Sequence, residues 1–588
     1  MTSIATGSGQ SRDILPEGFW SADAVRAVLD KTMTVRLAPD LSGLTEAESE
    51  TVQRLVAAGR VIDDIYQDQF HHQALAARAD LLARHDALGR PQRTRDLLEL
   101  NWGSQAPIAT TLDNERLPFL PVDDERPGKN LYPLDLPREA LEEYLDRRPD
   151  ERSELLHPYT VVRRTTKAAV RRDLAVLRRH PALAVLHARL APRWNAALAD
   201  PTLRPFYAVP YSVAWADQLT EVYGHLILAA DEIRVDDPDF SDFLRLRARD
   251  LLANDYEGGD AAWVRGRSGR LNAVIGPYES YEDNLFGAKG FFGLRIMLRD
   301  ESRSQAQLAA LIHLQSIEDA LPIDRHKAAR TDIPIGVYDI VADFGHQRYG
   351  PADAAILPND GELVRKYGRT IMMSRNLMTH PDSTARRQRK WRAVMAPAHH
   401  DDLTADGHFN EVVWHEIGHY LGPEEQADGR RFDDALEDTA DLIEELKAEL
   451  VSCFAAPRLR RAGYFDEEQV KQVRSVAMAS VLRPTRPRPS QQYDTLWLME
   501  ANFFLDRRVL DLDGGRVTIR YERVDDAVEA MLREVLEIQS QGTRATAEAF
   551  IDRYSTWDER HESIAAAVRA AEGPRFLRTS YGVLEADD

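Results

Sequence analysis

Residues 410–423 read NEVVWHEIGHYLGP, and this stretch decides the fold of the chain. Its apolar spacing predicts a helix, which the Gly-Pro pair at 422–423 should end. His415 and His419 lie four residues apart, so both imidazoles project from one face of that helix, one turn apart. Glu416 follows the first histidine directly. The stretch therefore predicts a helix that presents two histidines and a carboxylate together.

The spacing H-E-x-x-H is typical of a zinc site. Two imidazole nitrogens can bind one Zn²⁺ at about 2.0–2.1 Å each, and Glu416 points toward the open position, where it can take a proton from water. The alternative is an exposed helix whose histidines fall at this spacing by chance. The flanks, however, are apolar, at Val412, Val413, Ile417 and Leu421. A buried helix is expected, in which unpaired histidines would be costly.

A catalytic zinc site needs a third protein ligand and one position left open. Residues 435–454 form an uninterrupted helical pattern in which Glu445 and Glu449 lie one turn apart on the same face. Glu445 is predicted to bind the metal, and Glu449 to accept a hydrogen bond from the second nitrogen of a ligand histidine. The adjacent Glu444 should point elsewhere around the helix. A solvated acidic face is the preferred interpretation for Asp433, Asp434, Glu437 and Asp438.

The composition limits the class of protein. The chain has 588 residues, 43% hydrophobic and 29% charged, which suits a globular protein with more than one core. A net charge of -21 opposes binding to nucleic acid or an anionic membrane, although the basic run at residues 386–392 could form a local patch. The single Cys453, the lack of a secretory signal and the lack of any apolar run near about 20 residues predict a cytoplasmic protein. The oligomeric state stays open.

The pattern of elements predicts three parts of the chain. Residues 1–15 should be a mobile tail, residues 16–375 a mixed α/β lobe that carries substrate-binding segments, and residues 376–588 a mainly helical, zinc-binding catalytic lobe. These boundaries are approximate, and the lobes can interleave. A modest sheet is expected from four strand candidates, at residues 271–275, 335–342, 354–357 and 370–373.

Further motifs accompany the two metal segments, at residues 41–45, 112–114, 130–133, 206–212, 254–256, 262–263, 275–283 and 357–360. Together they resemble the dipeptidyl peptidase III superfamily of M49-like zinc metallopeptidases, most closely its bacterial branch with a short H-E-x-x-H. The resemblance implies an α+β, mainly α fold with two lobes around a wide cleft: a helical zinc-binding lobe and a lobe containing a small β-sheet. It also implies one Zn²⁺, peptide-like substrates, and Glu445 as the third ligand.

Substrate contacts follow from the same resemblance. It implies that Glu279, Tyr281 and Asn359 help to hold the substrate, with a structural turn network as the alternative. The chain departs from the family pattern at Val274 and Ile356, where the peptidases carry a tyrosine and an asparagine. Near Tyr493 they have a histidine that assists the transition state. Tyr493 could instead donate a hydrogen bond to an oxyanion, or it could be a tyrosine on a helix surface.

Three hypotheses for function remain. The leading one is a zinc metallohydrolase in which Glu416 acts as general base while water attacks an amide carbonyl of a peptide-like substrate. The second keeps the zinc but changes the substrate to a non-peptide carbonyl, ester or lactone, because the departures remove hydrogen-bonding groups from the peptide subsites. The third is a non-catalytic, zinc-stabilised protein that binds a peptide; the presence of Glu416 argues against it.

Overall fold

The computed structural model describes residues 15–103, 107–112, 115–266, 269–330, 333–349, 352–358, 361–488, 491–571 and 573–587. Of the predicted N-terminal tail, only Leu15 lies within these ranges. Among the described helices, none combines the length and the apolar character needed to cross a bilayer.

The strands form one five-stranded sheet and several two-stranded pairs. The larger sheet has the order β6-β7-β8-β10-β9, in which β8 and β10 run parallel and the other neighbours antiparallel. The strands are β1 Thr32–Leu37, β2 Ala109–Leu112, β3 Glu115–Pro118, β4 Thr160–Arg164, β5 Phe206–Pro210, β6 Leu271–Glu279, β7 Phe291–Arg299, β8 Ile335–Gly345, β9 Ala354–Leu357, β10 Thr370–Ser374, β11 Leu510–Asp513, β12 Arg516–Ile519 and β13 Phe576–Tyr581.

Helices occupy most of the remaining chain. Those before residue 380 are α1 Ala22–Leu29, α2 Glu46–Phe70, α3 Ala74–Ala87, α4 Gln92–Gly103, α5 Arg138–Arg147, α6 Arg152–Leu155, α7 Lys167–Arg179, α8 Pro181–Leu186, α9 Leu190–Ala199, α10 Tyr211–Ala214, α11 Ala216–Ile233, α12 Pro238–Ala253, α13 Glu257–Arg265, α14 Glu301–Ala310, α15 Leu314–Glu318, α16 His346–Tyr349, α17 Gly361–Tyr367 and α18 Arg375–Met378. Those after it are α19 Pro381–Val394, α20 Ala405–Gly418, α21 Phe432–Leu436, α22 Ala440–Arg461, α23 Glu467–Met478, α24 Gln492–Asp506, α25 Val524–Gln541, α26 Arg544–Tyr554 and α27 Glu559–Ala571.

Two large hydrophobic cores define two lobes. The sheet lobe packs β6, β7 and β8 against α2, α11 and α12, and the helical lobe is built around α20, α22, α23 and α25. The five-stranded sheet contributes to both cores, because successive side chains of a strand point to opposite faces. On β10, Ile371 and Met373 belong to the helical-lobe core and Met372 to the sheet-lobe core. The predicted α+β, mainly α fold with two lobes and a small sheet is confirmed.

Helix α2 holds the sheet lobe together. It begins with a capping box, in which the Thr45 hydroxyl accepts from the Glu48 amide and the Glu48 carboxylate accepts from the Thr45 amide. Near its middle, a Cβ at Gly59 would lie 2.2 Å from the Phe344 ring of β8. Glycine therefore lets the helix approach the sheet closely, and the long β8 is buried along its whole length.

The two cores interleave along the chain. Ala310, Leu314 and Ile317 pack in the helical-lobe core, although they precede β8 in sequence. Near the other end of the chain, β13 pairs in parallel with β1, and Tyr581 joins the sheet-lobe core. The lobe boundaries predicted from sequence stay a prediction.

Candidate metal centre

Helix α20 carries the H-E-x-x-H segment through the helical-lobe core. Thr404 caps its start by accepting a hydrogen bond from the Gly407 amide at 3.0 Å. The helix ends at Gly418 with His419 as its cap, earlier than the predicted end at Gly422. A tighter turn follows, in which the Leu421 amide donates to the Gly418 carbonyl at 3.0 Å. His419 nevertheless keeps a right-handed helical backbone and stays on the same face as His415.

A close crossing brings α22 onto α20 at Gly418. A Cβ at this position would lie 3.1 Å from the Ala448 carbonyl oxygen and 3.3 Å from the Ala448 Cα. The buried Lys447 ammonium fixes the crossing by donating to the carbonyls of Gly418 at 2.9 Å and Leu421 at 2.8 Å. These carbonyls belong to a helix end that lacks intrahelical donors, and a cation there is favourable. The crossing places Glu445 opposite both histidines.

The three predicted ligand atoms converge. The Oε2 atom of Glu445 lies 3.3 Å from His415 Nε2 and 3.8 Å from His419 Nε2. All three atoms lie within 4.8 Å of one another. A tetrahedral zinc site with bonds of about 2.0–2.2 Å separates its ligand atoms by about 3.3–3.6 Å. The arrangement is therefore close to that geometry, with the two imidazole rings perpendicular at 89°.

The residues present fit a divalent cation. Among the described residues, neither the buried Glu445 Oε2 atom nor the buried His415 Nδ1 atom has a hydrogen-bond partner. Burial alone would lower the pKa of His415, but its contact with Glu445 and the charges of Glu449, Glu416 and Glu411 raise that pKa to about 10. The site thus concentrates negative charge around two imidazoles, which favours a cation at the point where the ligand atoms meet.

Glu416 lies beside the ligand atoms on α20. Burial raises the pKa of its carboxyl, the two histidines oppose this effect, and the charges of Glu445 and Glu449 add to it. The carboxyl interacts with all three predicted ligands and is only partly exposed. The role of Glu416 as a general base stays a prediction.

The expectation that Glu444 points elsewhere around the helix is wrong, because its carboxylate contacts His419 directly. Its Oε1 atom accepts from His419 Nδ1 at 3.0 Å, and a proton held there leaves Nε2 free to face Glu445. Lys447 lies 2.8 Å from the same carboxylate and Gln539 donates to it at 2.7 Å. Burial alone would raise the pKa of Glu444, but the Lys447 charge and the His419 hydrogen bond lower it to about 2. The i, i+3 pair of Glu444 and Lys447 is the sequence signal that could have revealed this network.

Glu449 lies on the His415 side of the centre. Its Oε1 atom is 3.8 Å from His415 Nδ1, which exceeds a hydrogen-bond distance, and it accepts from the Trp497 indole at 3.2 Å. Glu411 and Glu500 are buried nearby, and both burial and the Glu449 charge raise the pKa of their carboxyls well above the usual range. The structure brings Glu449 to the predicted side of His415, and its predicted hydrogen bond to a ligand histidine stays a prediction.

Tyr493 faces the metal centre. It lies in the first turn of α24, half-exposed, and burial and the charges of Glu445 and Glu416 raise the pKa of its hydroxyl. Trp497 follows one turn later, so the pair Tyr493 and Trp497 meets the pair Glu445 and Glu449 on α22. The aromatic side of the centre therefore comes from α24.

The sheet lobe contributes Glu279 and Tyr281. Glu279 ends β6, and Tyr281 follows with 77% of its surface exposed. The charges of Glu279 and, more weakly, Glu445 raise the pKa of Tyr281, so this tyrosine reaches toward the ligand set from the other lobe. Asn359 lies outside the described residues. Val274 is buried in the sheet-lobe core at 4% exposure, and Ile356 is half-buried on β9.

Comparisons with known proteins agree with the fold. No protein-family model matches the chain. It is similar to the dipeptidyl peptidase III structure from Caldithrix abyssi, with a TM-score of 0.80 and 24% identity, covering 95% of this chain and 99% of that one. The structure from Corallococcus sp. strain EGB gives a TM-score of 0.73 and 22% identity, covering 97% and 98%. Nudix hydrolase 3 of Arabidopsis thaliana is 24% identical over 576 residues, which cover 90% of this chain and 70% of that protein.

Fold and site together define a class: a two-lobed protein with a candidate centre of two histidines and one carboxylate at a helix crossing. More particularly, the fold is that of the solved dipeptidyl peptidase III structures. The resemblance found in the sequence is confirmed for the fold.

Proposed function

We propose that the chain is a zinc-dependent hydrolase that cleaves an amide bond of a peptide-like substrate. The observation that carries this proposal is the convergence of His415 Nε2, His419 Nε2 and Glu445 Oε2. The shared fold supports it, because the two solved structures are named as dipeptidyl peptidases. One zinc ion held by these three residues keeps a position open for water or substrate.

Bound zinc supplies Lewis acidity, which polarises a carbonyl and makes water nucleophilic near neutral pH. Glu416 takes a proton from the attacking water and passes it to the nitrogen of the leaving amine. Tyr493 donates a hydrogen bond to the developing oxyanion. Glu449 holds His415 through charge, and Glu279, Tyr281 and Asn359 hold the substrate from the sheet lobe.

A non-peptide carbonyl, ester or lactone is the second candidate substrate. Two observations favour it: Ile356 presents an apolar side chain where the resembled peptidases carry an amide, and a similar plant protein is named as a different kind of hydrolase. Expected partners are thus a peptide or a small molecule. The cytoplasmic location stays a prediction.

Hydrolysis of a substrate panel by the zinc-loaded protein tests both candidates. Dipeptidyl naphthylamides stand for peptides, and a set of esters and lactones for the alternative. Glu416→Gln should lower the rate on the preferred class by about 10²–10⁴-fold while zinc stays bound, whereas the exposed Glu425→Gln should have no effect. Full activity in Glu416→Gln would contradict the mechanism. Zinc binding without turnover of any substrate would favour the peptide-binding protein.

A further inference from the structure

A small cavity lies apart from the metal centre, where α19, the segment before β9, and β13 meet. Its volume is about 260 Å³, and its polar lining consists of Asp353, Ser383, Arg386, Arg387 and Lys390. Leu377 and Leu577 complete the wall. The cavity shares no lining residue with the candidate metal centre.

The polar lining comes mainly from one face of α19. Ser383, Arg386, Arg387 and Lys390 follow the spacing i, i+3, i+4, i+7, which stacks their side chains over two helical turns. The basic run at residues 386–392 is thus divided: Arg389 is exposed and lines no part of the cavity. Three cations of this run, Arg386, Arg387 and Lys390, therefore lie on the helix face that lines the cavity.

Positive charge in the cavity exceeds negative charge. Among the described residues that line it, Asp353 alone is acidic, and it already accepts a hydrogen bond from His408 Nε2 at 2.9 Å. Burial lowers the pKa of Arg387, and the nearby Arg386 charge lowers it further against the opposing effect of Asp353. The described lining thus carries two guanidinium groups and a lysine against one carboxylate, and the Arg387 guanidinium also donates to the Met378 carbonyl.

Donor atoms in the cavity wall also lack acceptors. Ser383 is 7% exposed, and its hydroxyl has no hydrogen-bond partner among the described residues. Within the part of the chain that the structure describes, the Nε atom of Arg386 is also buried without a partner, although another nitrogen of this guanidinium donates to the Arg575 carbonyl at 3.4 Å. Unpaired buried donors are costly, so their joint presence indicates an acceptor that fills the space.

We propose that this cavity binds the phosphate group of a small phosphorylated compound. Guanidinium groups donate two parallel hydrogen bonds to phosphate oxygens, and a lysine and a serine hydroxyl add further donors. A phosphate group matches this lining better than a carboxylate does, because its three oxygens can accept from both guanidinium groups and from Ser383. The net charge of -21 on the whole chain repels anions, so such a ligand needs this local concentration of cations.

Calorimetric titration of the zinc-loaded full chain tests the proposal, with inorganic phosphate, glycerol phosphate and acetate as ligands. Both phosphates should bind saturably and acetate much more weakly. Arg386→Gln should weaken phosphate binding about tenfold or more, as expected when one charge-assisted hydrogen bond is lost. The matched control Arg389→Gln, on the exposed face of the same helix, should bind phosphate like the wild type.

Ser383→Ala provides a second variant that keeps every charge, so the proposal stays testable if Arg386→Gln folds poorly. It should weaken phosphate binding while circular dichroism and melting temperature stay unchanged. Equal affinities in Arg386→Gln, Ser383→Ala and Arg389→Gln would overturn the proposal. So would phosphate binding that disappears in Glu445→Gln but persists in both cavity variants, because the phosphate would then sit at the metal centre. Saturable binding of acetate with the same affinity as phosphate would overturn the choice of ligand.

Discussion

The two predicted ligand histidines of the candidate metal centre have different support. On the His419 side, Nδ1 contacts Glu444 at 3.0 Å, and Lys447 and Gln539 hold that carboxylate in turn. On the His415 side, no described residue forms a hydrogen bond with Nδ1, and Glu449 lies 3.8 Å away. One imidazole is therefore fixed by a complete network, and the other is influenced mainly by nearby charge. The comparison shows that two identical ligands on one helix can depend on different neighbours.

Substitution of either ligand histidine should abolish zinc binding, and this is the largest effect expected. His415→Ala and His419→Ala each leave two ligands, which cannot hold zinc in a site that needs three. Both variants should purify without zinc and without hydrolytic activity, as measured by elemental analysis and by substrate cleavage. Retention of zinc by either variant would show that the ligand set is different.

Removing the Tyr493 hydroxyl should slow hydrolysis and leave the metal in place. If Tyr493→Phe loses a donor to the developing oxyanion, kcat should fall about 10²–10³-fold with little change in KM. Zinc content should match the wild type. The exposed Tyr223→Phe on α11 is the control and should be fully active. An active Tyr493→Phe would leave this tyrosine as a structural partner of Glu445.

The difference between the two histidines can be measured with paired carboxylate variants. Glu444→Gln removes the charge that contacts both His419 and Lys447, and should weaken zinc affinity about 10–100-fold. Glu449→Gln should have a smaller effect, because the Glu449 carboxylate does not reach hydrogen-bond distance of His415. Competition with a chelator gives both affinities. A larger loss in Glu449→Gln than in Glu444→Gln would reverse the comparison.

The smallest effect is expected at the crossing of α20 and α22, which positions Glu445 opposite both histidines. Gly418→Ala should lower the free energy of unfolding by about 1–3 kcal/mol, because its Cβ meets the Ala448 backbone at 3.1 Å. Gly224→Ala on α11 is the matched control, since nothing lies within 4 Å of its Cβ. That control should gain about 0.5–1 kcal/mol. Chemical denaturation of both variants measures the difference, and equal stabilities would show that the crossing is not tight.

Sequence predicted much of this centre because its key distances follow from helical periodicity. The i, i+4 spacings of His415 with His419 and of Glu445 with Glu449 fix which side chains share a face, and the family resemblance supplied the two-lobed fold. Periodicity could not show how α22 is rotated against α20. That rotation depends on the close contact at Gly418 and on Lys447, and it turned Glu444 toward His419. The cavity on α19 was missed for the same reason, because its other walls come from distant segments.

An anomalous difference map recorded at the zinc edge tests the central claim most directly. Crystals of the zinc-loaded protein should show one peak at about 2.0–2.2 Å from His415 Nε2, His419 Nε2 and a Glu445 carboxylate oxygen. The same map for Glu445→Gln should show that peak weakened or absent. A zinc peak bound by Glu444 or Glu449 in place of Glu445, or no peak between the histidines, would contradict the account.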